Sequence, residues 1–276
     1  RNLEQVGMFT FLHLTDIHCA YDNLKAIKEL IVQNPKKIDF ILSSGDLTNM
    51  KPGDNSDPSK VKENEEEVVK VLRSLQEIHP KVYFIPGNHD ACTYFEGTGP
   101  ELPGVINLHK KHLRLADDLV LSSFGGSVPA FQGEKQRWIG YPFEKVEDAE
   151  EGLRELLSSK LAEDNSTDAP CANDSILLMT HTGPGSSQTA IQQIDLDQDI
   201  IKAGCFMLDK ILREPEVQER VFLNIHGHTH FAEGVSKVGE TFIFNPGAVS
   251  FDCFGIVTII KKESKWTYKS MEMLQL

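Results

Sequence analysis

An amide, an imidazole and a carboxylate occupy three consecutive positions at Asn88-His89-Asp90, directly after Ile85-Pro86-Gly87 and the apolar run Val82-Tyr83-Phe84. Pro86 cannot donate to a sheet ladder and Gly87 tolerates backbone angles closed to other residues, so a strand should stop there and aim Asn88 and His89 outward. Four other stretches repeat the pattern of an apolar run ending in groups with lone pairs. Met8–Leu14 leads into Asp16 and His18, Ile38–Leu42 into Gly45-Asp46, Ser175–Met179 into His181, and Val221–Ile225 into His226-Gly227-His228-Thr229-His230. Asp16 and His18 are two apart, so an extended segment turns both to one side, where a carboxylate oxygen and an imidazole nitrogen can meet one ion. Three histidines within five residues, separated by Gly and Thr, are hard to explain as core packing.

Such groups must be carried to one place by the elements between them. After the first strand, Asp22 reads as a helix N-cap, and Leu24, Ile27, Leu30 and Ile31 recur at helical spacing until Asn34-Pro35 ends the run. Val61, Val68, Val71, Leu72, Leu75 and Ile78 mark a second helix, preceded by a loop from Met50 to Lys60. Strand, helix, strand with polar residues at the carboxyl ends is the pattern of an open α/β sheet, in which sites collect in the crevice beyond those ends. Between Ala91 and Asp118 the periodicity fades among Gly97, Gly99, Pro100, Pro103 and Gly104, which reads as a loop over the site. Leu119–Ser123 is a further strand, Val146–Leu161 an acidic amphipathic helix, and Thr241–Phe244 a strand. Gly255–Ile260 and Lys265–Met273 read as a closing antiparallel pair.

Residues 1–276, with 40% hydrophobic content and no linker-like stretch dividing them into comparable halves, are expected to form one domain. A net charge of -13 argues against an electrostatic grip on nucleic acid or an anionic membrane. The apolar runs are only strand-length and Arg1–Gln5 has no signal-peptide pattern, so no membrane span is expected. Five cysteines, odd in number and without C-x-x-C spacing, point to a reducing, cytoplasmic setting. The triplets at Asn165 and Asn173 are read as plain loop residues, and His109 and His112, beside Lys110 and Lys111, as surface histidines.

Asp16, His18, Asp46, Asn88, His181, His228 and His230 all lie just beyond strands, so one crevice can gather them as metal ligands. Imidazoles, two carboxylates and an amide without thiolate favour Mn, Fe or Zn over Ca. Two ions about 3.5–4 Å apart sharing a carboxylate clamp both oxygens of an in-line displacement at phosphorus and lower the pKa of a bridging water toward about 7. Asp46 is the natural bridge.

Taken together, Asp16-x-His18, Gly45-Asp46, Gly87-Asn88-His89-Asp90, His181 and Gly227-His228-Thr229-His230 resemble, in order, the blocks of the calcineurin-like metallophosphoesterases, over roughly Phe9 to Ala248. The resemblance implies an α/β/β/α sandwich, four layers deep, of two mixed sheets flanked by helices. It implies one metal on Asp16, His18, Asp46 and His230, a second on Asp46, Asn88, His181 and His228, and His89 as the acid that protonates the leaving group. Gly45-Asp46-Leu47-Thr48-Asn49 lacks the longer G-D-x-V-D-R-G block of the Ser/Thr protein phosphatases, and Asp90 replaces their Glu, so the small-molecule phosphodiesterase branches are closer. The substrate expected is a small mono- or diester such as a cyclic nucleotide. The alternatives are a nuclease, disfavoured by the acidic balance, and a non-catalytic metal-binding module, disfavoured because no ligand is missing. His226 is expected to support the neighbouring histidines by hydrogen bonding. Cys19 and Cys92, close to the motifs, are expected to be packed and inert.

Overall fold

Alternating side chains on Met8–Leu14 (β1) set the layers. Leu12 and Leu14 enter one apolar cluster, whereas Phe11 and the half-buried Phe9 enter another. Successive residues of a strand face opposite ways, so a nearly continuous apolar run requires cover on both sides. In the computed structural model, which describes residues 7–157, 168–192 and 200–276, that cover is a helical layer on one face and a second sheet on the other.

The remaining strands, in chain order, are β2 (Phe40–Ser43), β3 (Val82–Phe84), β4 (Val105–Asn107), β5 (Lys111–Ala116), β6 (Leu119–Phe124), β7 (Ala130–Gln132) and β8 (Lys135–Trp138). They continue with β9 (Ser175–Thr180), β10 (Ile191–Gln192), β11 (Ile201–Lys202), β12 (Val221–Ile225), β13 (Gly234–Val238), β14 (Thr241–Asn245), β15 (Cys253–Lys262) and β16 (Lys265–Gln275). One six-stranded sheet has the order β16-β15-β1-β2-β3-β4, the other β13-β14-β12-β9-β6-β5, and a small sheet runs β10-β11-β7-β8. Both large sheets are mixed. β1 to β4 pair in parallel, as do β6, β9, β12 and β14; antiparallel strands close both edges of the second sheet and the β16 edge of the first, whose other edge is the parallel β4.

The helices are α1 (Tyr21–Gln33), α2 (Pro58–Ile78), α3 (Cys92–Glu96), α4 (Glu150–Leu157), α5 (Phe206–Leu212) and α6 (Pro215–Gln218). Leu24 and Ile27 of α1 and Val68, Val71, Leu72 and Leu75 of α2 pack on the first sheet. Leu153, Leu156 and Leu157 of α4 pack with Leu208, Ile211 and Leu212 of α5 on the second. Phe11, Leu177, Met179, Leu223, Ile225 and Phe244 fill the space between the sheets. The result is the expected sandwich, helices on the outside and two mixed sheets within. The parallel strands bring the carboxyl ends of β1, β2, β3, β9 and β12 to one edge, which is where the polar groups of the sequence collect.

Several local expectations are corrected. The cap of α1 is Ala20, not Asp22, which lies in the first turn and there complements the positive end of the helix. The second helix starts at Pro58, because the Asp57 carboxylate accepts the Ser59 N–H and Pro58 takes a position where no N–H is required. A short 3-10 turn, Pro52–Ser56, precedes it. The stretch from Ala91 to Asp118 is not a covering loop. It contains α3, ended by Gly97 in a left-handed conformation (φ 74°), and the strands β4 and β5, which extend the two large sheets. β4 has three residues held by pairing to β3, and so carries little periodicity of its own. His109 is buried, not superficial: its Nδ1 accepts the Gly125 N–H at 3.0 Å between the rings of Phe95 and Phe124. His112 is half-buried, 2.8 Å from the Ser122 hydroxyl. The acidic segment is a 3-10 turn, Val146–Ala149, followed by α4; its expected end at residues 158–161, the Asn165 triplet and the Arg1–Gln5 segment lie outside the described residues. Among the described residues no helix is long and apolar enough to cross a membrane, and Cys19, Cys92, Cys205 and Cys253 are free thiols.

Candidate metal centre

The turns beyond β1, β2 and β12 carry Asp16, His18, Asp46 and His228 in a left-handed backbone conformation, with φ of 51°, 49°, 53° and 67°. Non-glycine residues seldom adopt it, and strain of this kind persists only where surrounding structure holds it. Here the chains are locked by mutual hydrogen bonds: Asp16 N–H donates to the Gly45 carbonyl at 3.0 Å, His18 N–H to the Asp46 carbonyl at 3.1 Å, and His228 N–H to Asp16 Oδ2 at 2.9 Å. A Cβ on Gly87 would overlap the Asp46 carboxylate, and one on Gly227 would overlap Thr15 and Asp16. These two glycines permit the close approach that brings the strand ends together.

Asp16, His18, Asp46 and His230 present ligand atoms all within 4.8 Å of one another, and so do Asp46, His181 and His228. Asp46 belongs to both groups. Asn88 joins the second, its Oδ1 3.0 Å from His181 Nε2. All seven residues expected from the sequence therefore meet at one place.

Hydrogen bonding gives three of the rings a defined tautomer. A carbonyl can only accept, so the His18 nitrogen 3.0 Å from the Thr48 carbonyl, Nδ1, carries a proton and Nε2 is left with its lone pair. That Nε2 is buried without a partner, 3.8 Å from Asp46 Oδ2. His181 Nδ1 donates to the Ser44 carbonyl at 2.8 Å, turning Nε2 toward Asn88 Oδ1 and, at 3.4 Å, Asp46 Oδ2. Acceptors facing acceptors call for a cation or a proton between them. His89 Nδ1 donates to the Met50 carbonyl at 2.8 Å, and His89 joins Asp46, Asn88, His228 and His230 in a cleft of about 330 Å³.

The electrostatics agree with a cation site. Burial opposes the charge of Asp16, but His230 and then His181 hold its carboxyl well below the usual range. For Asp46, burial is overcome by His181, His89 and His18 in the same direction. Burial opposes a proton on His181, yet Asp46 and Asp16 push its pKa up to about 9. A positive charge is thus favoured between these residues, and the lone pairs of oxygen and imidazole are donors that a divalent transition ion accepts.

The sequence profile of the family described as calcineurin-like phosphoesterase matches residues 9–232. The chain belongs to that family. Among solved structures of the same fold, the protein TT1561 of Thermus thermophilus is 15% identical with a TM-score of 0.56, covering 97% of this chain and 99% of that one. A dimetal phosphatase from Danio rerio is 11% identical with a TM-score of 0.52, covering 97% and 98%. A search of curated proteins found no match. The calcineurin-like phosphoesterases are metal-dependent, and this member is a hydrolase acting on phosphoesters.

In this phosphoesterase His226 stands behind the ligand groups with both nitrogens engaged: Nε2 lies 2.7 Å from Thr189 Oγ1 and Nδ1 donates to the Gly227 carbonyl at 2.9 Å. Burial, followed by the glutamates Glu67 and Glu96 respectively, raises the thiol pKa of Cys19, to about 11, and of Cys92, as suits unreactive thiols. The sequence marked Asp90 within the Asn88-His89-Asp90 run but gave it no role, and it did not mark Trp138 at all. Asp90 accepts Gly87 N–H, Leu47 N–H, Thr48 N–H and Thr48 O–H, at 2.8 to 3.2 Å, and so fastens the Asp46 turn to the Asn88 turn. Trp138, at the end of β8, donates its indole N–H toward His228 Nε2 at 3.4 Å. No pattern around Trp138 marked it, because the small sheet that places it consists of strands two to four residues long.

Proposed function

We propose that this chain hydrolyses small-molecule phosphate mono- or diesters with two divalent ions, from among Mn, Fe and Zn, one on Asp16, His18, Asp46 and His230 and the other on Asp46, Asn88, His181 and His228. The observation that carries this reading is the single Asp46 carboxylate common to two groups of ligand atoms. Bound there, the ions would supply Lewis acidity to the phosphoryl oxygens and acidify a water for in-line attack. His89 is the proton donor to the departing oxygen: its Nδ1–H is held by the Met50 carbonyl, so Nε2 is the nitrogen that gains and gives the proton. Thr15, whose hydroxyl donates to Asp16 Oδ2 at 2.8 Å, and the His228 N–H hold that carboxylate in orientation. The free thiols of Cys19, Cys92, Cys205 and Cys253 support a reducing, cytoplasmic setting.

The test is hydrolysis of a panel of aryl and alkyl mono- and diesters by metal-stripped protein, with Mn, Fe and Zn added singly. Activity restored by at least one metal and abolished by a chelator is expected. Inactivity of every ester with every metal would overturn the proposal in favour of a binding role.

A further inference from the structure

The cleft at the ligand groups has an uneven wall. Next to His228 its surface is Trp138, followed in the chain by Ile139, and Pro52 and Gln192 also line the cleft. Ile139 is 56% exposed, although the Trp138 before it packs against Ala130, Ile201 and Ala203. On the side of His230 stand Phe231 and Phe251, 49% and 46% exposed, with ring centroids 4.7 Å apart and the Phe251 ring 5.6 Å from that of His230. Each of the two ligand groups therefore has apolar surface against one of its histidines: the half-buried Trp138, followed by the exposed Ile139, at His228, and the two exposed phenylalanines at His230. The described residues lining the cleft include no Lys or Arg.

Both facts bear on the charge and shape of the substrate. A monoester is close to dianionic at neutral pH, and its three terminal oxygens are ordinarily met by Arg forks or Lys ammonium groups as well as by metal. A diester carries one negative charge and two organic groups, and each of those groups needs somewhere to go. Exposed large apolar side chains scattered singly require no explanation, but here one group lines the polar cleft and the other packs on His230 at its border.

Resting on the phosphoesterase reading above, we propose that Trp138–Ile139 and Phe231–Phe251 are two ester-group subsites, which select a monoanionic phosphodiester bearing flat, aryl-like or nucleobase-like groups over a monoester. Gln192, which also lines the cleft, carries an amide that can offer a donor and an acceptor to the rim of a heterocycle. Flat groups suit these positions because an aromatic ring covers apolar side chains with little loss of rotamer freedom.

Three substrates with one leaving group decide it: 4-nitrophenyl phenyl phosphate, 4-nitrophenyl methyl phosphate and 4-nitrophenyl phosphate, assayed with Mn-loaded wild type, Ile139→Ser and Phe251→Ser. Both positions are about half exposed, so the folds of the variants should survive, and thermal melting with elemental metal analysis verifies this. Wild type is expected to prefer the phenyl diester over the methyl diester, and both over the monoester. At least one variant should lose about 10-fold in kcat/KM on the phenyl diester, about 1.4 kcal/mol, mainly through KM, with the monoester nearly unchanged. A wild type that hydrolyses all three but favours the monoester, or variants that lower all three equally or none, would overturn the subsites while leaving the phosphoesterase reading intact. Failure to hydrolyse any of the three with any metal would instead remove the phosphoesterase reading and the subsites with it.

Discussion

The main-chain N–H of His89 donates to Oδ1 of Asp46 at 2.8 Å, so the proposed proton donor is tied through its backbone to the carboxylate common to both ligand groups. The remaining oxygen, Oδ2, faces His18 and His181 at 3.8 and 3.4 Å. One carboxylate thus sets the position of the ligands and of the acid. The two roles can be separated by substitution.

His89→Asn should leave the metal content near that of wild type and slow turnover by roughly 10²- to 10⁴-fold, the range of a positioned general acid. The loss should be larger for an alkyl ester than for an activated aryl ester, whose alcohol departs without a proton. Rate constants for both esters, alongside elemental analysis, check this, and equal losses or a loss of metal would contradict the acid role.

Asp46→Asn retains an oxygen for the His89 N–H but turns an amide NH₂ toward the His18 and His181 side, a donor where ions need a ligand. Elemental mass spectrometry should find both ions depleted. Two ions per chain in the variant would contradict the bridging position.

Asp90→Asn replaces a carboxylate accepting four hydrogen bonds, three of them from backbone N–H groups, with an amide that must turn its NH₂ against at least one donor. The expected cost is about 1–3 kcal/mol of stability, read by urea unfolding of the metal-free protein. An unchanged midpoint and slope would show that these bonds contribute nothing net.

His109 supplies a pH effect away from the ligand groups. Burial, and then Lys110 and Lys111, lower its pKa from 6.5 to about 3. Between those values the unfolded chain binds a proton that the folded chain does not, so stability is full above about pH 6.5 and is lost as the pH falls below it. Thermal melting from pH 7.5 to 5 should show a steeper decline for wild type than for His109→Asn, which keeps an acceptor for the Gly125 N–H but has no titrating ring. Parallel declines would mean that His109 titrates normally in the folded protein.

By itself the sequence determined the kinds of ligand and their attachment to strand ends, because both are local. An apolar run that stops at Gly87 or Thr15 and releases Asn88 or Asp16 is legible within ten residues, and the alternation that buries β1 and β9 on two faces follows from a period of two. The four layers were implied by the family resemblance of the motifs, whereas the runs themselves pointed only to an α/β sheet with polar groups beyond its strand ends. Only the tertiary structure decided the distances among the ligand atoms, and the tautomers of His18, His89 and His181, since each depends on a carbonyl distant in sequence, those of Thr48, Met50 and Ser44. It also decided that His109 is a core residue, because its burial comes from Phe95 and Phe124 on other elements. Trp138 reaches His228 across 90 residues through short strands whose pairing, not their composition, holds them in place. Long-range pairing of that kind leaves no periodic trace in the chain, so the candidate ligands could be read in the sequence and the wall beside them could not.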